Sequence, residues 1–204
     1  MGETTFIAAP LGTGDRTVVT ATPDEMLGLA IAALQRGECK LEAMLDTLPA
    51  PIYVTDAEGW ITFFNRACID FAGRTPVPGH DRWCVTWRLY TEGGAFLPHD
   101  QCPMAVAIRE RRPVRGAIAA AERPDGTRVM FVPYPTPLID ETGAMTGAVN
   151  MLIDVTDQRQ AEALRAQAIR CRRLAQSVSD RTTIETLTLM ASEYDEKARA
   201  LPGG

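Results

Sequence analysis

A chain of 204 residues has room for one ordinary domain with appendages rather than two full domains. Its formal net charge of −5 gives no general attraction to nucleic acid or to an anionic membrane. No apolar run reaches the roughly 18 residues of a membrane helix, and the N-terminus MGETTFIAAPLGTGDR lacks the basic-then-apolar pattern of a secretion signal. Five scattered cysteines (Cys39, Cys68, Cys84, Cys102, Cys171) form no C-x-x-C pair, so a reduced, cytoplasmic setting is expected.

Residues 1–21, with Pro10, Gly12 and Gly14, read as a flexible arm. Thr22-Pro23-Asp24-Glu25 has a capping hydroxyl, a first-turn proline and early acids, which together start a helix. Leu27, Ile31, Leu34, Leu41, Leu45 and Leu48 follow at four- and three-residue steps, with Glu38 as the one flaw. The stripe predicts an amphipathic dimerisation helix over 22–48, ended by Pro49 and Pro51.

The next stretch changes character. PIYVTD and WITFF read as two strands joined by a turn at Glu58-Gly59, and NRACIDFAG as a short helix. Residues 74–98, rich in Pro and Gly, predict mostly loop and helical turns. CPMAVAIRERR is an amphipathic helix with Met104, Ala105 and Ile108 on one side. VRGAIAAAE, TRVMFVPY and TGAVNMLIDV are three further strands, separated by the turn sequences RPDG and DETG. Five antiparallel strands, with helices between the second and third, make an α+β domain over 49–156.

From 157 the chain predicts a helical hairpin. One seam runs Leu164, Ala168, Cys171, Ala175, Val178; the other runs Ile184, Leu187, Ala191, Tyr194, Ala198, Leu201. Thr182-x-x-Glu185 is a candidate capping box for the second helix. Acidic residues are interspersed among Arg165, Arg170, Arg172, Arg173, Arg181 and Arg199, so both helices read as solvated faces rather than a DNA-binding surface.

The segment 41–156 resembles a PAS sensor domain. The likeness rests on the hairpin PIYVTDAEGWITFFN, with its acidic-Gly turn and terminal Asn, and on the ending Asp154-Val155-Thr156, which matches the family's Asp-(Ile/Val)-Thr junction. It implies a PAS fold: a five-stranded antiparallel sheet with helices on one face, here with an N-terminal helix and a C-terminal helical hairpin added. It also implies a pocket between sheet and helices, for which Asn150, Leu152 and Phe131 are placed inward, with Met104 and Ile108 on the covering helix. Asp154 and Thr156 are expected to cap the junction and to stiffen it as a signal path into the exit helix.

Cofactor expectations follow the same comparison. The flavin photosensors of the family carry Asn-Cys-Arg-Phe-Leu; the comparable DRWCVTWRL has Cys84 without the flanking Asn and Arg, and Leu152 stands at their Gln position, so flavin is not expected. Haem needs an axial ligand, for which His99 and Cys102 in LPHDQCPM are candidates; the alternative is that His99 and Asp100 merely cap the following helix. No metal site and no catalytic residue is expected. The reading is a stand-alone homodimeric PAS regulator without an enzymatic output domain. It binds a small molecule or cofactor of unknown identity and addresses an unknown protein partner through its C-terminal helices. A ligand-free interaction scaffold is the alternative.

Overall fold

The structure, a computed structural model, describes residues 22–25, 27, 28, 31, 45, 46 and 48–202. The arm expected at 1–21 and the stripe positions Leu34 and Leu41 lie outside the described residues. The elements are β1 (Ile52–Asp56), β2 (Ile61–Phe64), α1 (Arg66–Ala72), β3 (Arg88–Thr91), β4 (Phe96–Leu97), a 3-10 turn (His99–Gln101), α2 (Pro103–Glu110), β5 (Ala119–Glu122), β6 (Arg128–Pro133), β7 (Thr136–Ile139), β8 (Met145–Asp154), α3 (Thr156–Ser177) and α4 (Arg181–Ala200). The fold is α+β, and the strand order is β2-β1-β8-β6-β5-β3-β4, with β7 also paired to β8.

Among the described residues the sheet has eight strands, not the five expected. One extra strand comes from proline spacing. Pro133, Pro135 and Pro137 alternate, so their missing N–H groups all fall on one edge of an extended chain. The intervening Tyr134 keeps its N–H for the Met151 carbonyl at 2.9 Å, and β7, with Pro137 inside it, pairs antiparallel with β8. The other two strands form a hairpin inside the stretch expected to be loop. Leu89 is buried, Tyr90 meets Phe96 edge to face at 6.0 Å, and β3 pairs with both β4 and β5.

The chain divides into two compact units. The first holds the elements up to Arg128 with Val132–Ile153, and its core is built from Ile52, Tyr53, Ile61, Val85, Leu89, Met104, Val149, Met151 and Leu152. In it α1 packs on β1, and α2 on β7 and the 3-10 turn. Asn65 locks its first turns: Oδ1 accepts the Ile52 N–H at 2.9 Å, and Nδ2 donates to the carbonyls of Leu45 (3.0 Å) and Ala50 (2.9 Å). Leu27 and Leu45 are both buried and Ile31 is half-buried.

The second unit holds Val129–Phe131 and the chain from Asp154 onward. Its helices α3 and α4 pair along the expected seams, with Ala168, Cys171 and Ala191 buried and Tyr194 against them. Small residues let the two backbones approach closely, and an Arg172–Asp195 ion pair bridges the helices. The expected capping box at Thr182 is not the cap. Asp180 caps α4, accepting from the Thr183 N–H at 2.8 Å and its hydroxyl at 2.6 Å. Asp180 wins because its carboxylate sits one residue before the helix, where the unpaired N–H groups point. Among the described residues no helix is long and apolar enough to cross a membrane.

Candidate functional site

The β1–β8 register sets Tyr53 opposite Asn150 and Thr55 opposite Ala148. Side chains alternate, so Tyr53, Thr55, Ala148, Asn150 and Leu152 share one face. All five are buried, and so are Ile52, Val54, Val149 and Met151 on the opposite face. Both faces being covered, burial does not tell them apart; hydrogen bonds do.

The Tyr53 hydroxyl donates to the Trp83 carbonyl at 3.0 Å and accepts from Nδ2 of Asn150 at 2.9 Å. Oδ1 of Asn150 accepts the Tyr134 N–H at 2.9 Å. Both ends of this buried amide are thus held by the chain itself. Beside the pair the Thr86 hydroxyl donates to Cys84 Sγ at 3.2 Å, and the Cys102 thiol lies 3.9 Å from the Trp83 carbonyl. The Thr55 hydroxyl, buried on the same face, has no hydrogen-bond partner among the described residues. A buried polar atom left unpaired is unusual and asks for an explanation.

Burial pushes the Tyr53 phenol well above its ordinary value, and the thiols of Cys84 and Cys102 add to that. Tyr53 therefore keeps its proton and acts as a donor. Burial likewise raises Cys84 and Cys68, and pushes the Cys102 thiol up to about 12. These are neutral thiols, not thiolate nucleophiles.

Among the other named residues, Phe131, Met104 and Ile108 are all buried. His99 opens the 3-10 turn and Cys102 occupies the N-cap position of α2; neither His99 nor Asp100 caps that helix. The turn intervenes because Pro103 takes the first helical position, leaving Cys102 rather than His99 in the capping place. His99 Nε2 is buried and makes no hydrogen bond among the described residues. Burial lowers its pKa, Arg74 lowers it further, and Asp81 and Asp100 oppose. Among the described residues no three His, Cys, Asp or Glu side chains come together as metal ligands. On this face Asn150 is already bonded at both ends within the chain and Leu152 is apolar.

At the junction, Asp154 Oδ1 accepts the Thr156 N–H at 2.8 Å. Thr156 is not a cap. Its hydroxyl accepts the Met130 N–H at 2.9 Å and lies 3.4 Å from the Met130 carbonyl, which also accepts the Val155 N–H at 2.8 Å. The first residue of α3 is therefore stitched to the backbone of β6.

Tyr53, Trp83 and Thr55 were not legible as site residues. Tyr53 reads as one more strand aromatic until the register sets it against Asn150, and the carbonyl it bonds lies 30 residues away.

A PAS fold family model matches residues 39–78, which include the β1–β2 hairpin and α1. Among solved structures, the chain is similar to the LOV domain of the Erythrobacter litoralis EL346 blue-light activated histidine kinase (21% identity, covering 53% of this chain and 98% of that one, TM-score 0.42). It is also similar to a PAS domain of a protein from Colwellia psychrerythraea (18%, 61% and 98%, 0.39) and to the PAS domain of Bordetella pertussis BvgS (22%, 62% and 90%, 0.37). No curated protein matches the chain.

Proposed function

We propose that this chain is a PAS-type signal-sensing regulator whose input is a small molecule bound at the Tyr53–Asn150 face, a reading supported by the PAS fold model matched at residues 39–78. The observation that carries the reading is a polar pair, fully buried, with the Thr55 hydroxyl, unpartnered among the described residues, on the same face. A ligand with a few hydrogen-bonding groups among apolar atoms suits such a place, since burial rewards the apolar part and the Thr55 hydroxyl offers a polar partner. The output is the helical pair α3–α4. Asn150 lies on β8, and only Val155 separates that strand from α3, so a change in strand position reaches the helix through a short, hydrogen-bonded junction. The partner addressed by the helices is a protein.

Native mass spectrometry of the protein purified from its own host tests the reading. The expected result is a species heavier than the bare chain that disappears in Asn150→Leu while the far-ultraviolet circular dichroism is kept. Bare chain alone in the wild type, together with a partner captured equally by wild type and Asn150→Leu, would instead establish a ligand-free scaffold.

A further inference from the structure

The segment 77–87 is not an ordinary loop. Gly79 and Asp81 bond to Ile61 at the β2 edge: the Gly79 N–H donates to the Ile61 carbonyl and the Ile61 N–H to the Asp81 carbonyl, each at 2.9 Å. Trp60 and Arg82 bridge next, and the Trp83 N–H then donates to the Gly59 carbonyl at 2.8 Å. The segment straps the open edge of the sheet, which would otherwise present bare N–H and C=O groups. Arg82 fastens it from outside. Its guanidinium lies 5.0 Å from the Trp60 ring and 4.5 Å from the Trp83 ring, and its Nε donates to the Glu58 carbonyl at 2.7 Å.

The strap is strained at one place. Trp83 has φ +70°, a left-handed conformation that is a true outlier for a bulky side chain. Its ring lies where a Cβ on Gly59 would stand, 2.2 Å from two ring carbons, so only glycine fits beneath it. Strain of this kind persists only while surrounding contacts over-determine it. On the inner side the Trp83 carbonyl accepts the only proton of the Tyr53 hydroxyl at 3.0 Å, with the Cys102 thiol 3.9 Å from the same oxygen and Cys84, Val85 and Thr86 buried beside it.

We propose that 77–87 is a latched strap over the Tyr53–Asn150 face, held shut by the Tyr53 hydroxyl on the strained Trp83 and opening when that bond is lost. A hydroxyl has one proton to give, so any hydrogen-bond acceptor that claims Tyr53 takes it from Trp83. The latch itself does not depend on what the face binds; only that trigger rests on the ligand reading. Opening uncovers the thiols of Cys84 and Cys102, buried at 4% and 2% exposure, and moves Trp60, Arg82 and Trp83 at the surface. This is an output route separate from the α3 junction.

The test uses the full chain without ligand, and two readouts: alkylation of Cys84 and Cys102 by N-ethylmaleimide, followed by mass, and hydrogen exchange by segment. Tyr53→Phe keeps the ring and removes the proton. It should speed alkylation of both thiols and exchange over 77–87 by roughly fivefold to tenfold, the usual worth of one hydrogen bond. Amides of 52–54 and 149–152 should keep their protection. Unchanged rates overturn the proposal, and so does an equal loss of protection in β1 and β8, which would make Tyr53 a support of the sheet itself. If Tyr53→Phe does not fold, Arg82→Ala loosens the same strap from its exposed side and decides the matter on the same readouts. The selective opening supports the latch, and its absence refutes it. Ligand release by Asn150→Leu without strap opening would leave the latch standing, so the two ideas fail separately.

Discussion

Asn65 is completely buried, ends the β2 hairpin and serves three backbone groups from two sides of the fold. Asn65→Ala leaves the Ile52 N–H and the Ala50 carbonyl unpaired in the interior, at a cost of roughly 3 kcal/mol. Asn65→Asp keeps the acceptor for Ile52 but sets a buried carboxylate oxygen against the Leu45 and Ala50 carbonyls, so at pH 7 it should be at least as destabilising as alanine in urea unfolding. An Asn65→Asp variant as stable as wild type would show that the Nδ2 bonds contribute nothing. His99 gives a pH dependence with a definite sign. Its folded pKa lies below the ordinary 6.5, because of burial and Arg74, against the opposing pull of Asp81 and Asp100. The unfolded chain therefore takes up the proton first as pH falls. Stability from this group is complete above 6.5 and is lost as pH drops from there toward the folded value. Urea midpoints followed across that window should fall less steeply in His99→Gln than in wild type; parallel curves would remove His99 from the explanation.

Among the elements, the passage from β8 to α3 has the most to say about function. The two residues expected as caps flank the N-cap residue Val155 and bond differently. Asp154 does hold the first N–H of the helix, whereas Thr156 bonds sideways to Met130 in β6. A cap can be read from residue types near a helix start; a bond to a strand 26 residues earlier cannot. This changes what the variants should do. Asp154→Ala with Thr156→Val removes about 1 kcal/mol per lost contact. Hydrogen exchange should then speed at the start of α3 and at the Met130 amide, while 149–152 and 52–54 stay protected. Uniform loss in β8 would show that the junction supports the sheet, and the transmission role would lapse. The 74–98 stretch illustrates the opposite failure. Its prolines and glycines read as loop, yet β3, β4 and the strap lie within it, because pairing with β5 and with the β2 edge supplies what local propensity lacks.

At the scale of the whole molecule, the faces of β1 and β8 are both buried in one chain. Leu27 and Leu45 are buried in the same way. A homodimer through the N-terminal stripe remains our proposal, resting on Leu34 and Leu41. Leu34→Glu with Leu41→Glu places two charges where burial would leave them unpaired, so sedimentation velocity should show dimer in wild type and monomer in the double variant. Wild type sedimenting as monomer at tens of micromolar would end this idea. By itself the sequence determined the α+β class, the β1–β2 hairpin, the short helix α1, the three longer strands and both seams of the C-terminal helices. Each of these is written in local periodicity, turn chemistry and capping, which act over a few residues. Only the tertiary structure decided that Tyr53 faces Asn150, that Trp83 is strained over Gly59, that Thr55 is left without a partner among the described residues and that Thr156 reaches Met130. Those facts depend on strand register and on contacts between residues far apart in the chain, and no local pattern encodes them.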